Sequence, residues 1–181
     1  MSELETDRLH MRPLGAPDLD LLAGLHGDAE VMATMRSGVQ TREQVRAELE
    51  RYVATWNQRA FGIRALFDKA SGAFVGECGL WLRDDGQVGL RFALSPRARG
   101  RGLAFEAVRA TLDHAFGAAG IERVVAVARA VNARSRRVMD KAGMRLERRY
   151  PKGDIELTFY AVSRDGWLAM EKARRGGSAP A

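Results

Sequence analysis

The sequence predicts a mixed α/β fold of the α+β class, with a mostly antiparallel sheet flanked by helices. Three observations predict it. Short apolar runs separated by tight turns such as Asp84-Asp85-Gly86 are typical of hairpin strands. Longer segments repeat apolar residues every three or four positions, as amphipathic helices do. One strand–helix–strand succession, over residues 88–128, predicts a parallel pair joined by a right-handed crossover.

The predicted elements follow the order strand, helices, three-stranded meander, helix, strand, helix and two final strands. The seven strands are expected at residues 8–14, 61–67, 74–82, 88–94, 121–128, 144–150 and 155–162. Helices are expected within residues 18–35, behind a capping box at Thr41-x-x-Gln44, from the turn after Leu94 to about Ala118, over 132–142 and, for a turn or two, over 165–174. Neither a repeat nor a linker divides the chain, so we expect one domain over residues 1–175 and a flexible tail over 176–181.

Composition narrows the class of protein. Hydrophobic residues make up 46% of the 181 residues, enough for a sizeable core, yet no apolar run approaches the roughly 18 residues of a membrane span. The acidic opening is unlike a signal peptide and the single cysteine, Cys78, cannot form an internal disulfide, so a cytoplasmic location is expected. His10, His26 and His114 lack ligand-like spacing, so no metal is expected.

The basic residues indicate which partners the chain suits. The formal net charge is +6, and all but four of the 29 basic residues are arginines. Arginine suits bidentate phosphate binding, although codon composition alone can also produce such a surplus. The arginines are spread along the chain and form no basic run interleaved with aromatic residues. We therefore expect no nucleic-acid partner and no membrane partner.

One turn carries the strongest signal in the chain. The run Arg97-Ala98-Arg99-Gly100-Arg101-Gly102-Leu103-Ala104 follows a predicted strand and opens a predicted helix. The first N–H groups of a helix lack internal partners, and glycines allow the backbone to approach a ligand closely. The run predicts a cradle for a phosphorylated ligand. The plainer alternative is a basic turn before a surface helix.

A second turn is expected beside the first. Asn132 is a good N-cap for the helix after the strand at 121–128, and Ser135 lies at its third position. Simple capping explains this pair. The two strands bracket one crossover, however, so both turns are expected at the same edge of the sheet. An elongated ligand with phosphates at one end and amides along its length suits both turns.

Five segments in order resemble the GNAT superfamily of N-acetyltransferases. They are the strand at 88–94, Arg97-x-x-Gly100-x-Gly102, Glu106-Ala107, Asn132-x-x-Ser135 and Lys141-x-Gly143-Met144. The segments 5–13 and 75–80 and the pair Tyr160 and Trp167 are similar to the ribosomal-protein N-terminal acetyltransferase (Rim-type) branch. The resemblance spans roughly residues 3–170.

The resemblance implies a fold and a donor. It implies a GNAT fold with a six- to seven-stranded sheet in which the fourth and fifth strands are parallel and splayed. It implies acetyl-CoA as the donor and an amine acceptor, in a monomer or a homodimer. The expected contacts are backbone donors to the pyrophosphate, an open strand edge along the pantetheine, an N–H near the thioester oxygen, and arginines near the 3′-phosphate. The backbone donors to the pyrophosphate are Arg99, Gly100, Arg101, Gly102, Leu103 and Ala104. The strand edge along the pantetheine is Phe92, Ala93 and Leu94, with Asn132 opposite. The N–H near the thioester oxygen is that of Leu94, and the arginines near the 3′-phosphate are Arg97, Arg134 and Arg137.

Catalytic groups are less clear from the sequence. Many superfamily members carry a Glu where this chain has Gly89, and a Tyr where it has Met139. The remaining candidates are Ser135 as an acid for the sulfur, Glu77 as a base with a raised pKa, and Glu156 at an acidic position of the branch. The alternative role is helix capping for Ser135, a salt bridge for Glu77 and a structural hydrogen bond for Glu156. Tyr150, Tyr160 and a water chain without a dedicated base also remain open.

The functional prediction is direct acetyl transfer from acetyl-CoA to a primary amine, which is either a protein N-terminus or a small molecule. Acceptor selection is expected from residues 18–59 and from the loop at 150–154. Two other classes stay open. One is an acyl-CoA-binding regulatory module without turnover, which the missing Glu and Tyr favour. The other is a nucleic-acid binder with strongly salt-dependent affinity.

Overall fold

The structure is a computed structural model that describes residues 3–176. Its strands are β1 (Leu4–Glu5), β2 (Leu9–Pro13), β3 (Ile63–Asp68), β4 (Phe74–Leu82), β5 (Val88–Leu94), β6 (Arg123–Arg129), β7 (Arg145–Lys152) and β8 (Ile155–Ser163). Its helices are α1 (Leu19–Gly27), α2 (Ala29–Met32), α3 (Arg42–Gln58), α4 (Leu103–Phe116), α5 (Ala133–Lys141) and α6 (Arg164–Gly176). The mixed α/β class and the order of the elements are confirmed.

The strands of the described region form one sheet in the order β1-β2-β3-β4-β5-β6-β8-β7. All neighbours are antiparallel except β5 and β6, which run parallel across the α4 crossover, as predicted. The sheet has eight strands rather than six to seven. The additional strand is β1, which pairs Leu4 with Met11. Two residues are too few to show the alternation on which a sequence prediction depends.

The parallel strands β5 and β6 touch at one end only. They pair at Val88 with Val124 and at Gly89 with Val125, and then diverge. On its other side β5 pairs with β4 over its whole length, and β6 does the same with β8. The divergence therefore leaves two inner strand edges whose backbone groups face a gap. The splay expected between the fourth and fifth predicted strands is confirmed.

Helices cover both faces of the sheet. Strand alternation divides neighbouring β3 residues between two cores, with Ala65 in one and Leu66 in the other. The first core takes the buried face of α3, and the second takes that of α4 and the side chain of Trp167. No helix of residues 3–176 combines the length and the apolar character needed to cross a membrane.

The last helix is longer than expected. Instead of one or two turns it covers 13 residues and includes Gly176, which the sequence had indicated as part of a flexible tail. Trp167 anchors it, because its ring is buried and its Nε1 donates to Asp113 Oδ1 at 3.0 Å. Few other residues of this helix are buried, which is why the apolar signal was weak. The rest of the expected tail, residues 177–181, lies outside the described residues.

A buried polar cluster ties the helical layer to the sheet. It consists of His26 on α1, Glu48 and Tyr52 on α3, Glu77 on β4 and Arg91 on β5. Glu77 Oε1 lies 2.7 Å from Arg91 Nε and 2.9 Å from His26 Nε2, and both Glu77 and His26 are fully buried. Burial alone would raise the pKa of Glu77, but the charge of Arg91 and the bond to His26 lower it to about 2.

Replacing Glu77 by glutamine should destabilise the fold and change its response to acid. Arg91 would lose its closest counter-charge in a buried site, so Glu77→Gln should lower the free energy of unfolding at pH 7 by about 3 kcal/mol. The ionised carboxylate stabilises the fold above its usual pKa near 4.5, and this contribution is lost as the pH falls toward about 2. The gap between wild type and variant should therefore narrow over that interval. Urea titrations at pH 7, 4.5 and 3.5 measure it.

The matched control is Glu50→Gln, since Glu50 is exposed on the same helix as Glu48. We expect it to change the free energy of unfolding by no more than about 0.5 kcal/mol. A gap between wild type and Glu77→Gln that stays constant from pH 7 to pH 3.5 would show that the charge of Glu77 contributes nothing.

Candidate functional site

A cavity of about 470 Å³ opens where β5 and β6 diverge. Both strands, the first turns of α5 and the inner side of α3 contribute to its wall. Its lining includes Leu90, Arg91 and Phe92 from β5, Ala126 and Ala128 from β6, Asn132, Ser135 and Met139 around α5, and Glu48 and Tyr52 from α3. The cavity therefore reaches the second turn that the sequence indicated, at Asn132 and Ser135, whereas the run 97–104 contributes no residue to its lining.

The inner edge of β5 presents amide donors to this gap. The N–H of Ser95 donates to Val75 O at 2.9 Å, on the β4 side. Successive N–H groups of a strand point to opposite sides, so those of Leu94 and Phe92 point toward the gap. An extended ligand with its own amides can pair with such an edge as an added strand does. The N–H groups of Phe92 and Leu94 thus face the gap, whereas that of Ala93 faces β4.

The glycine turn forms an open N-terminus for α4. Gly100 and Gly102 have φ of 75° and 79°, a left-handed conformation that L side chains rarely adopt. Gly102 is the N-cap and offers no side chain, and the first backbone bond within the helix is from Glu106 N to Gly102 O. The N–H groups of residues 103–105 have no helical partner and can bind an anion.

The arginines expected near the phosphates are of two kinds, those held by protein carboxylates and those without an ion pair. Arg99 Nη1 lies 2.6 Å from Glu30 Oε1, and Arg101 Nη1 lies 2.7 Å from Asp68 Oδ2. Protein carboxylates therefore hold both guanidinium groups, which leaves the backbone of this turn as its main donor of hydrogen bonds. Arg97, Arg134 and Arg137 are exposed and have no ion pair among residues 3–176, so their charges are free to meet a phosphate.

Asn132 caps α5, whereas the Ser135 hydroxyl is left without a hydrogen bond in the described part of the chain. Asn132 Oδ1 accepts from the N–H of Ser135 at 3.1 Å, so the capping alternative holds for Asn132. The Ser135 hydroxyl takes no part in capping and has no hydrogen bond within the described part of the chain. Both residues line the cavity. Ser135 is therefore positioned to give a proton to a group bound there.

The position of the missing strand Glu is filled by an aromatic ring. Gly89 lies opposite Trp81 across β4 and β5. A Cβ at residue 89 would come within 2.5 Å of Trp81 Nε1, so no side chain fits there while the indole keeps its place. Met139, at the position of the missing Tyr, is buried at the wall of the cavity.

The two acidic candidates from the sequence lie off the cavity wall. Glu77 is buried behind Arg91, and the expectation that its pKa is raised is wrong because Arg91 and His26 outweigh burial. The salt-bridge alternative holds for this residue. Glu156 has a side chain that is 52% exposed and lies 3.6 Å from Arg149 Nη1. Tyr160 is buried, and its hydroxyl accepts from Arg136 Nε at 3.5 Å.

The sequence analysis assigned residues 18–59 to acceptor selection but did not single out Glu48 or Tyr52 on α3. Glu48 and Tyr52 lie one helical turn apart, and the Tyr52 hydroxyl donates to Glu48 Oε1 at 2.8 Å. Arg91 completes this wall from β5. A carboxylate on the apolar face of an amphipathic helix, between Val45 and Tyr52, is the signal that could have identified it.

Comparison with known proteins agrees with this geometry. The family model described as "Acetyltransferase (GNAT) domain" matches residues 8–145. The uncharacterized protein YkkB of Bacillus subtilis (strain 168) is 30% identical over 168 residues, which cover 88% of this chain and 94% of YkkB. The FsC-acetyl coenzyme A-N(2)-transacetylase of Aspergillus fumigatus is 28% identical over 187 residues, which cover 93% of this chain and 79% of that enzyme.

A solved structure shares the fold. RimL, the ribosomal L7/L12 alpha-N-protein acetyltransferase in complex with coenzyme A, superposes with a TM-score of 0.77 at 16% identity. The match covers 91% of this chain and 99% of that one. Among residues 3–176, no three His, Cys, Asp or Glu side chains come together as a metal site. With its open β5–β6 gap, its glycine turn and the family match over residues 8–145, the chain belongs to the GNAT family of acetyltransferases.

Proposed function

We propose that the protein transfers an acetyl group from acetyl-CoA directly to a primary amine within a ternary complex. The observation that carries this proposal is the divergence of β5 from β6, with α4, the helix that follows β5, beginning at a glycine cap that leaves its first N–H groups unpaired. The name of the Aspergillus relative, an acetyl coenzyme A N-transacetylase, supports the proposal. The coenzyme A complex of RimL supports the same donor.

The donor suits the gap in three parts. The N–H groups of residues 103–105 and the backbone at Gly100 and Gly102 would receive the pyrophosphate. The inner edge of β5 would pair with the amides of the pantetheine arm, with Asn132 on the opposite wall. The exposed guanidinium groups of Arg97, Arg134 and Arg137 would meet the 3′-phosphate.

Two groups and the orientation of the reactants would then serve the chemical step. The N–H of Leu94 points into the gap and would stabilise the thioester oxygen as it gains charge, an effect worth about 3 kcal/mol for one donor. The Ser135 hydroxyl would give a proton to the leaving sulfur. The protein would also bring amine and thioester together in a fixed orientation, which by itself lowers the barrier.

The acceptor is a primary amine, either a protein N-terminus or a small molecule. Resemblance to the Rim-type branch favours a protein N-terminus, whereas the Aspergillus relative is named for acetyl transfer to a nitrogen, N(2), of FsC. A screen of peptides and amines that follows release of the coenzyme A thiol tests the proposal. A thermal shift with acetyl-CoA run in parallel separates binding from turnover.

A specific observation favours one alternative function, a regulatory module that binds acyl-CoA. Trp81 occupies the place of a strand carboxylate at Gly89, and Met139 stands where a Tyr would act. A regulatory module that binds acyl-CoA without turnover needs neither group. Binding of acetyl-CoA without thiol release toward any acceptor would favour the module over the enzyme.

Substitution of Gly102 should abolish donor binding. Valine in Gly102→Val would strain the left-handed backbone and crowd the pyrophosphate, so the acetyl-CoA thermal shift should disappear. Gly120→Val is the matched control, because Gly120 also has a positive φ with open space around it and follows the far end of α4. The control should lose comparable stability yet keep its affinity. Equal affinity in Gly102→Val and wild type would refute the cradle.

Substitution of Ser135 should separate chemistry from binding. Ser135→Ala removes the free hydroxyl and leaves the Asn132 cap intact, so kcat should fall on the order of 10- to 100-fold with little change in acetyl-CoA affinity. Ser71→Ala, in the exposed turn between β3 and β4, serves as the control and should behave as wild type. If Ser135→Ala matches wild type in both kcat and affinity, the residue only lines the cavity.

A further inference from the structure

The wall of the cavity carries a surplus of positive charge. Within the described part of the chain, five arginines line it against two carboxylates. The arginines are Arg36, Arg51, Arg83, Arg91 and Arg129, and the carboxylates are Glu48 and Asp84. Like charges around one cavity repel each other, so an anion bound there would stabilise the arrangement.

Two of these arginines are neutralised by carboxylates of the protein. Arg91 Nε lies 2.7 Å from Glu77 Oε1, and Arg91 Nη1 lies 3.6 Å from Glu48 Oε1. Arg83 Nη2 lies 3.0 Å from Asp85 Oδ2. The charge of Glu48 is thus already matched, and the surplus belongs to the other three arginines.

Those three, Arg36, Arg51 and Arg129, have no ion pair among residues 3–176. Arg36 lies in the segment between α2 and α3, Arg51 lies on α3, and both are exposed. Arg129, at the end of β6, donates from Nη1 to Ala33 O at 2.9 Å, whereas its Nε is buried without a hydrogen-bond partner. A buried donor of a charged group is costly unless an acceptor binds to it. The three side chains therefore have both charge and hydrogen-bond donors available for a ligand.

The proposed donor leaves these charges unmatched. Its phosphates are expected at residues 97–104, 134 and 137, none of which lines the cavity. Its pantetheine arm carries neutral amides. The acceptor is therefore the remaining source of an anion. Arg36 and Arg51 also lie in the helical segment from which acceptor selection is expected.

We propose that the acceptor is an anionic amine, a primary amine whose molecule also carries a carboxylate or phosphate group, and that Arg36, Arg51 and Arg129 bind this anion. This inference rests on the proposed function. A guanidinium group binds either oxyanion through two parallel N–H···O bonds. The chemistry is the same for a small amino acid or amino phosphate and for a protein N-terminus followed by acidic residues. The arginines select and orient the acceptor, and they exchange no proton with it because guanidinium groups stay charged.

Initial rates of thiol release at saturating acetyl-CoA test the preference with two matched pairs of acceptors. One pair is the peptides Ala-Glu-amide and Ala-Gln-amide, and the other is phosphoethanolamine and ethanolamine. The anionic member of at least one pair should have a kcat/KM about 10-fold above that of its neutral partner. Because Arg36 and Arg51 are exposed, about 0.5 M NaCl should reduce this ratio. A preference within the peptide pair identifies an acidic N-terminus as the acceptor, and one within the phosphate pair identifies a small amine.

Substitution of Arg51 tests whether the cavity causes the preference. Arg51→Gln should lower kcat/KM for the anionic member about 5- to 10-fold and leave the neutral member within twofold, with the acetyl-CoA thermal shift unchanged. Arg51→Glu should abolish the preference altogether. Arg46→Gln is the matched control, because Arg46 is exposed on the same helix and does not line the cavity. The control removes the same charge and should behave as wild type.

Two results would overturn the inference. One is a kcat/KM that agrees within twofold between the members of both pairs. The other is an equal effect of Arg51→Gln and Arg46→Gln, since the cavity would then have no special part in the preference. Turnover of any amine in those cases would keep the proposed function. A protein inert toward every amine would end both proposals.

Discussion

The divergence of β5 and β6 is the constraint on which the rest of the structure depends. Two parallel strands that pair only at Val88 and Gly89 expose backbone edges that a closed sheet would satisfy internally. The outer partners β4 and β8 pair with β5 and β6 along their whole length, so each strand of the gap is satisfied on its outer side. The crossover helix α4 follows β5 along the chain, and its Gly102 cap leaves the first N–H groups of the helix without a helical partner.

Within the gap, the Trp81 ring fills the space that a side chain at position 89 would need. Trp81 packs where a residue at position 89 would project, and this excludes a carboxylate from the strand. Glu48 lines the cavity from the helical layer, and its Oε1 is held by Tyr52 and Arg91. Arg91 in turn depends on Glu77, so the buried pair that stabilises the fold also orients the cavity wall.

Local patterns predicted most of the fold because each signal was short and strong. The strands at Phe74–Leu82 and Val88–Leu94 are bounded by turn residues and match the structure at both ends. The capping box at Thr41 and Gln44 is present as expected. The strand β1 and the full length of α6 were missed, because two paired residues and one anchoring Trp leave little periodic signal.

The site was predictable where backbone geometry determines it and not where tertiary contacts do. Glycines at 100 and 102 predicted the left-handed turn before α4, since a positive φ restricts the choice of residue. The pKa of Glu77 is lowered by Arg91 and His26, which are distant in sequence. Its apolar sequence neighbours therefore could not predict the direction of the shift. The ion pairs of Arg99 and Arg101 with Glu30 and Asp68 are likewise tertiary.

A crystal structure of the protein with coenzyme A tests the central claim most directly. The account predicts that the pantetheine arm lies between β5 and β6, bonded to the backbone of Phe92 or Leu94, with the pyrophosphate against the N–H groups of residues 103–105. A nucleotide bound at another surface, with the gap filled by protein side chains, would contradict it.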